Sequence, residues 1–181
     1  MGSISFPKQA VVIGTRPDRK EQLKNCLNSF TTPYDILIAD CDGYEIGKLK
    51  WVLEKTDIDE FIFLQDTVEI KDPKFIEMCF FLPQSVSICN YPFFFGCYLG
   101  KFKRSVLEKM DLPDIKNKRE AVEYEAQIGI DYAKYEKPFA LFDDLHNVEN
   151  YVEKWGKKVM KIENDYLIKY KSIWHRDMIC E

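Results

Sequence analysis

The side chains best suited to chemistry in this sequence are carboxylates placed where apolar runs end. Phe61-Ile62-Phe63-Leu64 leads through Gln65 into Asp66. An unbroken apolar run of this length reads as a strand buried on both faces, and ligands of open α/β sheets bind beyond the carboxyl ends of the strands. A carboxylate there can hold a hard cation, and the cation a diphosphate. Asp66 reads equally as a strand cap or turn residue. Gly14-Thr15-Arg16 follows an earlier apolar run, so backbone amides and one guanidinium face the same space. Arg16 is equally well explained as a surface loop residue. Asp40 and Asp42 follow a further run, either as a turn or as acceptors for a base or ribose. Glu125 interrupts the apolar face of a long helix. A carboxylate buried there needs a partner or a job. It either pairs with a lysine or backbone amide, or lines a cleft, where its pKa would rise and it could act as a base. His175, one of two histidines, stands beside Trp174 and Arg176; it reads as a structural or solvated residue, or as a metal ligand.

The elements that must position these groups follow from the apolar pattern. Strands are expected at 10–14, 34–39 and 61–64, with helices at 18–29 and 45–55 between them. That repeating βα order predicts a parallel sheet. Beyond it the pattern predicts a helix at 73–81, a strand at 85–89, a short helix at 103–110 and a long one at 116–135. Asn117 with Glu120 reads as a capping box at the start of the long helix. A strand at 138–142, a helix from Asn147 to Trp155 stopped by Gly156, and a strand at 158–162 complete the series. The aromatic stretch Tyr91–Gly100 is expected to pack mainly in the core, with its glycines letting a ligand approach the backbone. No P-loop and no dinucleotide fingerprint is present.

Composition narrows the function classes. The 181 residues carry a net charge of −4, which argues against bulk nucleic-acid binding and leaves anionic small ligands open. The length suits one domain over 1–181. The six cysteines form no C-x-x-C pair, so they read as free thiols in a reducing, cytoplasmic compartment. Neither a signal-peptide core, nor a bilayer-spanning run, nor a myristoylation pattern is evident.

Taken in order, the Gly-Thr-Arg loop, the acidic strand end, the hydrophobic strand with Gln65-Asp66-Thr67, the glycine-bearing aromatic stretch, the Glu-bearing helix and His175 resemble the nucleotide-sugar glycosyltransferases of the GT-A fold, in their compact single-domain form encoded by viruses and microbes. The resemblance implies a Rossmann-like three-layer sandwich with a mostly parallel central sheet. It implies transfer of a sugar from a nucleoside diphosphate, by default a UDP-sugar, to the hydroxyl of a glycan or other acceptor, with inversion. Gly14, Thr15, Arg16, Asp40, Asp42, Gln65 and Asp66 would bind the nucleotide, Asp66 and His175 would hold Mn2+ or Mg2+, and Glu125 would be the base. The strand-end motif of that family is usually Asp-x-Asp; here only Asp66 of Gln65-Asp66-Thr67 matches it. A sugar-phosphate nucleotidyltransferase and a non-catalytic nucleotide-sugar-binding module are the rival readings.

Overall fold

The computed structural model describes residues 7–89, 95, 98–142 and 150–172. Strand β1 (Gln9–Thr15) leads through α1 (Lys20–Asn28) to β2 (Asp35–Asp40), and α2 (Tyr44–Lys55) leads on to β3 (Glu60–Gln65). After a two-residue turn come β4 (Val68–Ile70), α3 (Lys74–Phe81), β5 (Val86–Cys89), β6 (Gly100–Lys103), α4 (Arg104–Leu107) and α5 (Lys118–Ala133). The remaining elements are β7 (Phe139–Phe142), β8 (Asn150–Lys154), β9 (Lys157–Glu163) and β10 (Leu167–Ser172).

Six strands form one sheet in the order β2-β1-β3-β6-β5-β7. β1 runs parallel to both β2 and β3, and β5 parallel to β7, while β6 is antiparallel to its two neighbours. The sheet is therefore mostly parallel, with one reversed strand. Its strands are apolar on both faces because helices cover both. Val11, Ile13, Ile62 and Leu64 pack with Cys26 of α1 and with Phe75 and Ile76 of α3. Val12, Phe61 and Phe63 pack on the opposite side with Ile46, Leu49 and Val52 of α2, and with Ile128 and Tyr132 of α5. Fully burying such side chains stabilises the fold by ~1.5–3 kcal/mol each.

From β1 the chain first goes to one side, to β2, and then returns to the other side, to β3. The connections leaving β1 and β3 therefore diverge, and a crevice opens at their carboxyl ends. A second, antiparallel sheet in the order β4-β10-β9-β8 borders that end.

Most expected elements are present within a few residues of their expected ends. Three differences are instructive. The helix expected from Asn147 to Trp155 is, over its described part, the strand β8. Trp155 and Gly156 form the two-residue turn of a β8–β9 hairpin, both at positive φ (53° and 67°), as a twisted hairpin requires. The residues ahead of the short α4 form strand β6. In the aromatic stretch, Phe95 and Tyr98 are buried, and Phe95 stacks on Phe102 with centroids 4.1 Å apart. Gly100 is approached by backbone: a Cβ there would lie 2.1 Å from the Val86 carbonyl oxygen, at φ +153°. The other members of that stretch, 91–94, 96 and 97, lie outside the described residues, as do Asp143, Asp144 and His175.

Candidate ligand cleft at the ends of β1 and β3

β1 ends at Gly14-Thr15 and β3 at Gln65, with Gly14 opposite Gln65 in register. Gly14 is required by crowding. A Cβ would lie 2.6 Å from Phe63 Cζ and 2.8 Å from Lys48 Cδ. The turn after β3 is fastened to β1, because the Asp66 N–H donates to the Gly14 carbonyl at 3.0 Å. The Asp66 carboxylate is fully buried and ties the first loop down. Thr15 Oγ1 donates to its Oδ2 at 2.9 Å, and Arg19 Nη1 to its Oδ1 at 3.2 Å.

Gln65 bridges the two sides of the crevice. Its Nε2 donates to Glu45 Oε1 of α2 at 2.6 Å, and its Oε1 accepts from the Lys169 ammonium of β10. Lys169 also donates to Thr67 Oγ1 at 2.5 Å and is buried. Lys48 of α2 is buried as well. Its ammonium donates to the Cys41 and Tyr44 carbonyls at 3.0 and 3.1 Å, pinning the loop between β2 and α2. That loop is tight. Gly43 and Tyr44 have φ of 85° and 56°, and a Cβ on Gly47 would lie 2.0 Å from the Asp42 carbonyl oxygen.

The far wall is α5. Its first turn is capped by Asn117, whose Oδ1 accepts from the Glu120 N–H at 3.0 Å, while Glu120 Oε2 accepts from the Lys116 N–H at 2.8 Å. The expected capping box is thus present, with Glu120 reaching one residue further back than the cap. Tyr98 Oη donates to the Ala121 carbonyl at 3.2 Å. Near the other end of the helix, Tyr132 Oη meets Ser85 Oγ at 2.7 Å and accepts from the Lys103 N–H at 2.9 Å. These anchors hold Ala121, Glu125, Ile128 and Tyr132 as one inward stripe. Ala121 and Glu125 are the members of that stripe that line the cleft.

The result is a cleft of about 230 Å³ lined by Gly14, Thr15, Arg16, Arg19, Tyr44, Glu45, Lys48, Gln65, Thr67, Lys118, Ala121, Val122, Glu125 and β10 residues Lys169–Lys171. Six basic side chains and two carboxylates face it, in a chain whose net charge is −4. The crowding of positive charge is felt locally. Burial, and then the Arg19 and Arg16 guanidinium charges, hold the Lys118 ammonium below the ordinary lysine pKa. Burial lowers Lys48 too, against the opposing pull of Glu45. A low-dielectric crevice in which one sign of charge predominates concentrates ligands of the other.

Of the residues expected to form the site, Gly14, Thr15, Arg16, Gln65 and Glu125 line the cleft. Asp66 sits beneath it, behind Thr15. Asp40, the last residue of β2, and Asp42, just beyond it, are exposed and outside the lining. Arg16 turns its guanidinium to Asp18 at the rim, with Nε 3.0 Å from Oδ1. Arg19, Lys48, Lys118, Lys169 and Lys171 were not expected. Two of them carry a sequence signal. Lys48 falls on the apolar stripe of α2 with Leu49 and Val52, and Lys169 shares a strand face with Leu167.

The divalent cation implied by the resemblance finds little to hold it. His175 is outside the described residues. Both Asp66 oxygens are already engaged, and an ammonium occupies the Gln65 oxygen. Among the described residues no group of three or more His, Cys, Asp or Glu side chains is placed to hold a metal ion. The described donor set does not fit a divalent cation at this strand end.

Fold and cleft together define the molecule as a mixed α/β domain with a six-stranded, mostly parallel sheet and a basic crevice at its topological switch point. No protein-family model matches the chain, and no curated protein does. Among solved structures the chain is similar to A197 from STIV, at 17% identity and a TM-score of 0.47, covering 93% of this chain and 97% of that one. A likeness at that level carries no weight for function.

Proposed function

We propose that the protein is a glycosyltransferase that takes a sugar from a nucleoside diphosphate, by default a UDP-sugar, and passes it to an acceptor hydroxyl with inversion. One observation carries the reading: a crowd of basic side chains converges on the switch-point crevice, and a carboxylate, Glu125, faces it from α5. The basic side chains suit a diphosphate, whose charge grows as it leaves. In the reaction the acceptor oxygen forms a bond to the anomeric carbon. The bond from that carbon to the diphosphate oxygen breaks, its electron pair departs with the diphosphate, and the acceptor proton passes to Glu125. A general base in this position contributes ~10²–10⁴-fold to the rate. Val122, exposed at the mouth beside Glu125, offers apolar surface to the acceptor side.

The test is incubation with a panel of nucleotide sugars and candidate glycan acceptors, reading release of nucleoside diphosphate. Turnover is expected with one donor class and is expected to fall at least ~100-fold in Glu125→Gln. Release of pyrophosphate from a nucleoside triphosphate and a sugar phosphate would point to nucleotidyl transfer. Tight binding of a nucleotide sugar with no turnover or hydrolysis would make the chain a binding module. Wild-type turnover in Glu125→Gln would remove Glu125 as base. No helix among the described residues is long and apolar enough to cross a membrane.

A further inference from the structure

We propose that this cleft holds the diphosphate of its ligand with its own lysine side chains, Lys48, Lys118 and Lys171, and that no divalent cation takes part. The inference rests on the reading of the cleft as a nucleoside-diphosphate site. Its geometric basis lies in three places.

The first is Lys48. Its side chain is almost wholly buried, yet two backbone carbonyls hold its ammonium and no carboxylate among the described residues pairs with it. A buried charge is costly unless a counter-charge meets it. Lys48 lines the cleft, and an anion lodged there supplies that counter-charge.

The second is convergence. The basic groups come from four separate parts of the chain: Arg16 from the loop after β1, Lys48 from α2, Lys118 from the first turn of α5 and Lys171 from β10. Burial and then the Arg19 and Arg16 charges hold Lys118 below the ordinary lysine pKa, so Lys118 and these two guanidinium groups lie close enough to disfavour one another. An anion of two or more charges relieves that repulsion.

The third is the fate of Asp66. It is the carboxylate that would carry the metal, and it is instead the internal partner of Thr15 and Arg19 beneath the cleft floor. A dication placed above it would meet six basic side chains against two carboxylates, Glu45 and Glu125. Fixed ammonium groups perform the same electrostatic task as a cation, stabilising the charge of the diphosphate without having to reorganise.

The experiment is calorimetric titration of the full chain with inorganic pyrophosphate and with a panel of nucleotide sugars, first in excess EDTA and then with manganese. Pyrophosphate is expected to bind in EDTA, and manganese is expected to make it no tighter. Lys118→Ala and Lys171→Ala, each assayed well below its own melting temperature, are expected to weaken binding ~10-fold or more, as loss of a hydrogen bond to a charged group implies. Lys118→Arg is expected to restore most of the affinity.

Pyrophosphate binding that requires manganese, or that is at least tenfold tighter with it, would overturn the proposal. So would alanine variants that bind like the wild type, or no pyrophosphate binding under either condition. Metal-free pyrophosphate binding with no response to any nucleotide sugar would keep the anion site and remove the transferase reading. Nucleotide sugars that bind only with manganese would keep the transferase reading and remove this one.

Discussion

Replacing Thr15 by valine isolates what Asp66 does in the folded chain. Valine keeps the shape of threonine and removes one hydroxyl. That hydroxyl donates to Asp66 Oδ2 at 2.9 Å, and the Asp66 side chain has no exposure to solvent. A hydrogen bond to a charged group contributes ~1.5–3 kcal/mol, and an oxygen left buried without its donor costs about as much. The methyl that replaces the hydroxyl is nearly fully buried and returns ~0.8 kcal/mol. Arg19 keeps its contact to Oδ1, but it is 35% exposed, so solvent screens it and it compensates poorly. The net expectation is a loss of about 2 kcal/mol, which for a chain of this size lowers the melting temperature by about 4–8 °C. Thr15→Ser retains the donor and gives up one methyl, a loss of about 1 kcal/mol. Urea denaturation followed by tryptophan fluorescence should therefore rank the chains wild type, serine, valine. A valine variant as stable as the serine variant would show that Asp66 does not depend on this hydroxyl, and the account of Asp66 as an internal tie would fail.

Three further outcomes are expected. Gly14→Ala drives a methyl into Phe63 and the stem of Lys48 and should cost about 1–3 kcal/mol; a melting curve superimposable on the wild type would contradict the crowding argument. Arg104 donates to the carbonyls of Val52, Leu53, Thr56 and Ile58 at 2.7–3.0 Å, closing the end of α2. Arg104→Ala should cost about 3 kcal/mol, and Arg104→Lys, with its compact head, should recover only part of it, as denaturant titration would show. Burial pushes the Cys26 and Cys79 thiols up to about 12 from 9.0. Above pH 9 the unfolded chain loses these protons and the folded chain keeps them, so stability should fall through the window from 9 to 12. The fall is about 1.4 kcal/mol per thiol by pH 10, read as the difference from a Cys26→Ala, Cys79→Ala double variant, which lacks the thiol part of the slope. Identical pH profiles for the two proteins would refute the assignment.

The parts of the architecture that were legible in the sequence were those that local pattern determines. The β1-α1-β2-α2-β3 series could be read because each strand is a short apolar run and each helix repeats its apolar residues at 3–4 residue spacing. Glu125 could be read because it breaks such a spacing on α5. The basic lining could not. A lysine in sequence looks solvated, and what buries Lys169 is the pairing of β10 with β4, a contact between segments about a hundred positions apart. Asp66 was legible by type and place, but its partners Thr15 and Arg19 reach it from another strand and the loop beyond, and no local signal reports that. β9 was legible as a strand, but β8 reads as a helix in sequence because Gly156 ends helices and turns hairpins alike, and the alternation around it is weak.

The bond from Lys169 to Thr67 spans 102 positions of chain. The β1–β3 strand pairs, by contrast, close loops about half as long or shorter. Closing the longer loop forfeits more chain entropy before any contact rewards it. The order of assembly follows: the β1–β3 core forms first, and the cleft gains its last wall only when β10 docks onto β4. Binding competence is therefore expected to lag behind burial of the core during refolding. Stopped-flow refolding in which a fluorescent pyrophosphate analogue binds as early as Trp51 becomes ordered would contradict that sequence of events.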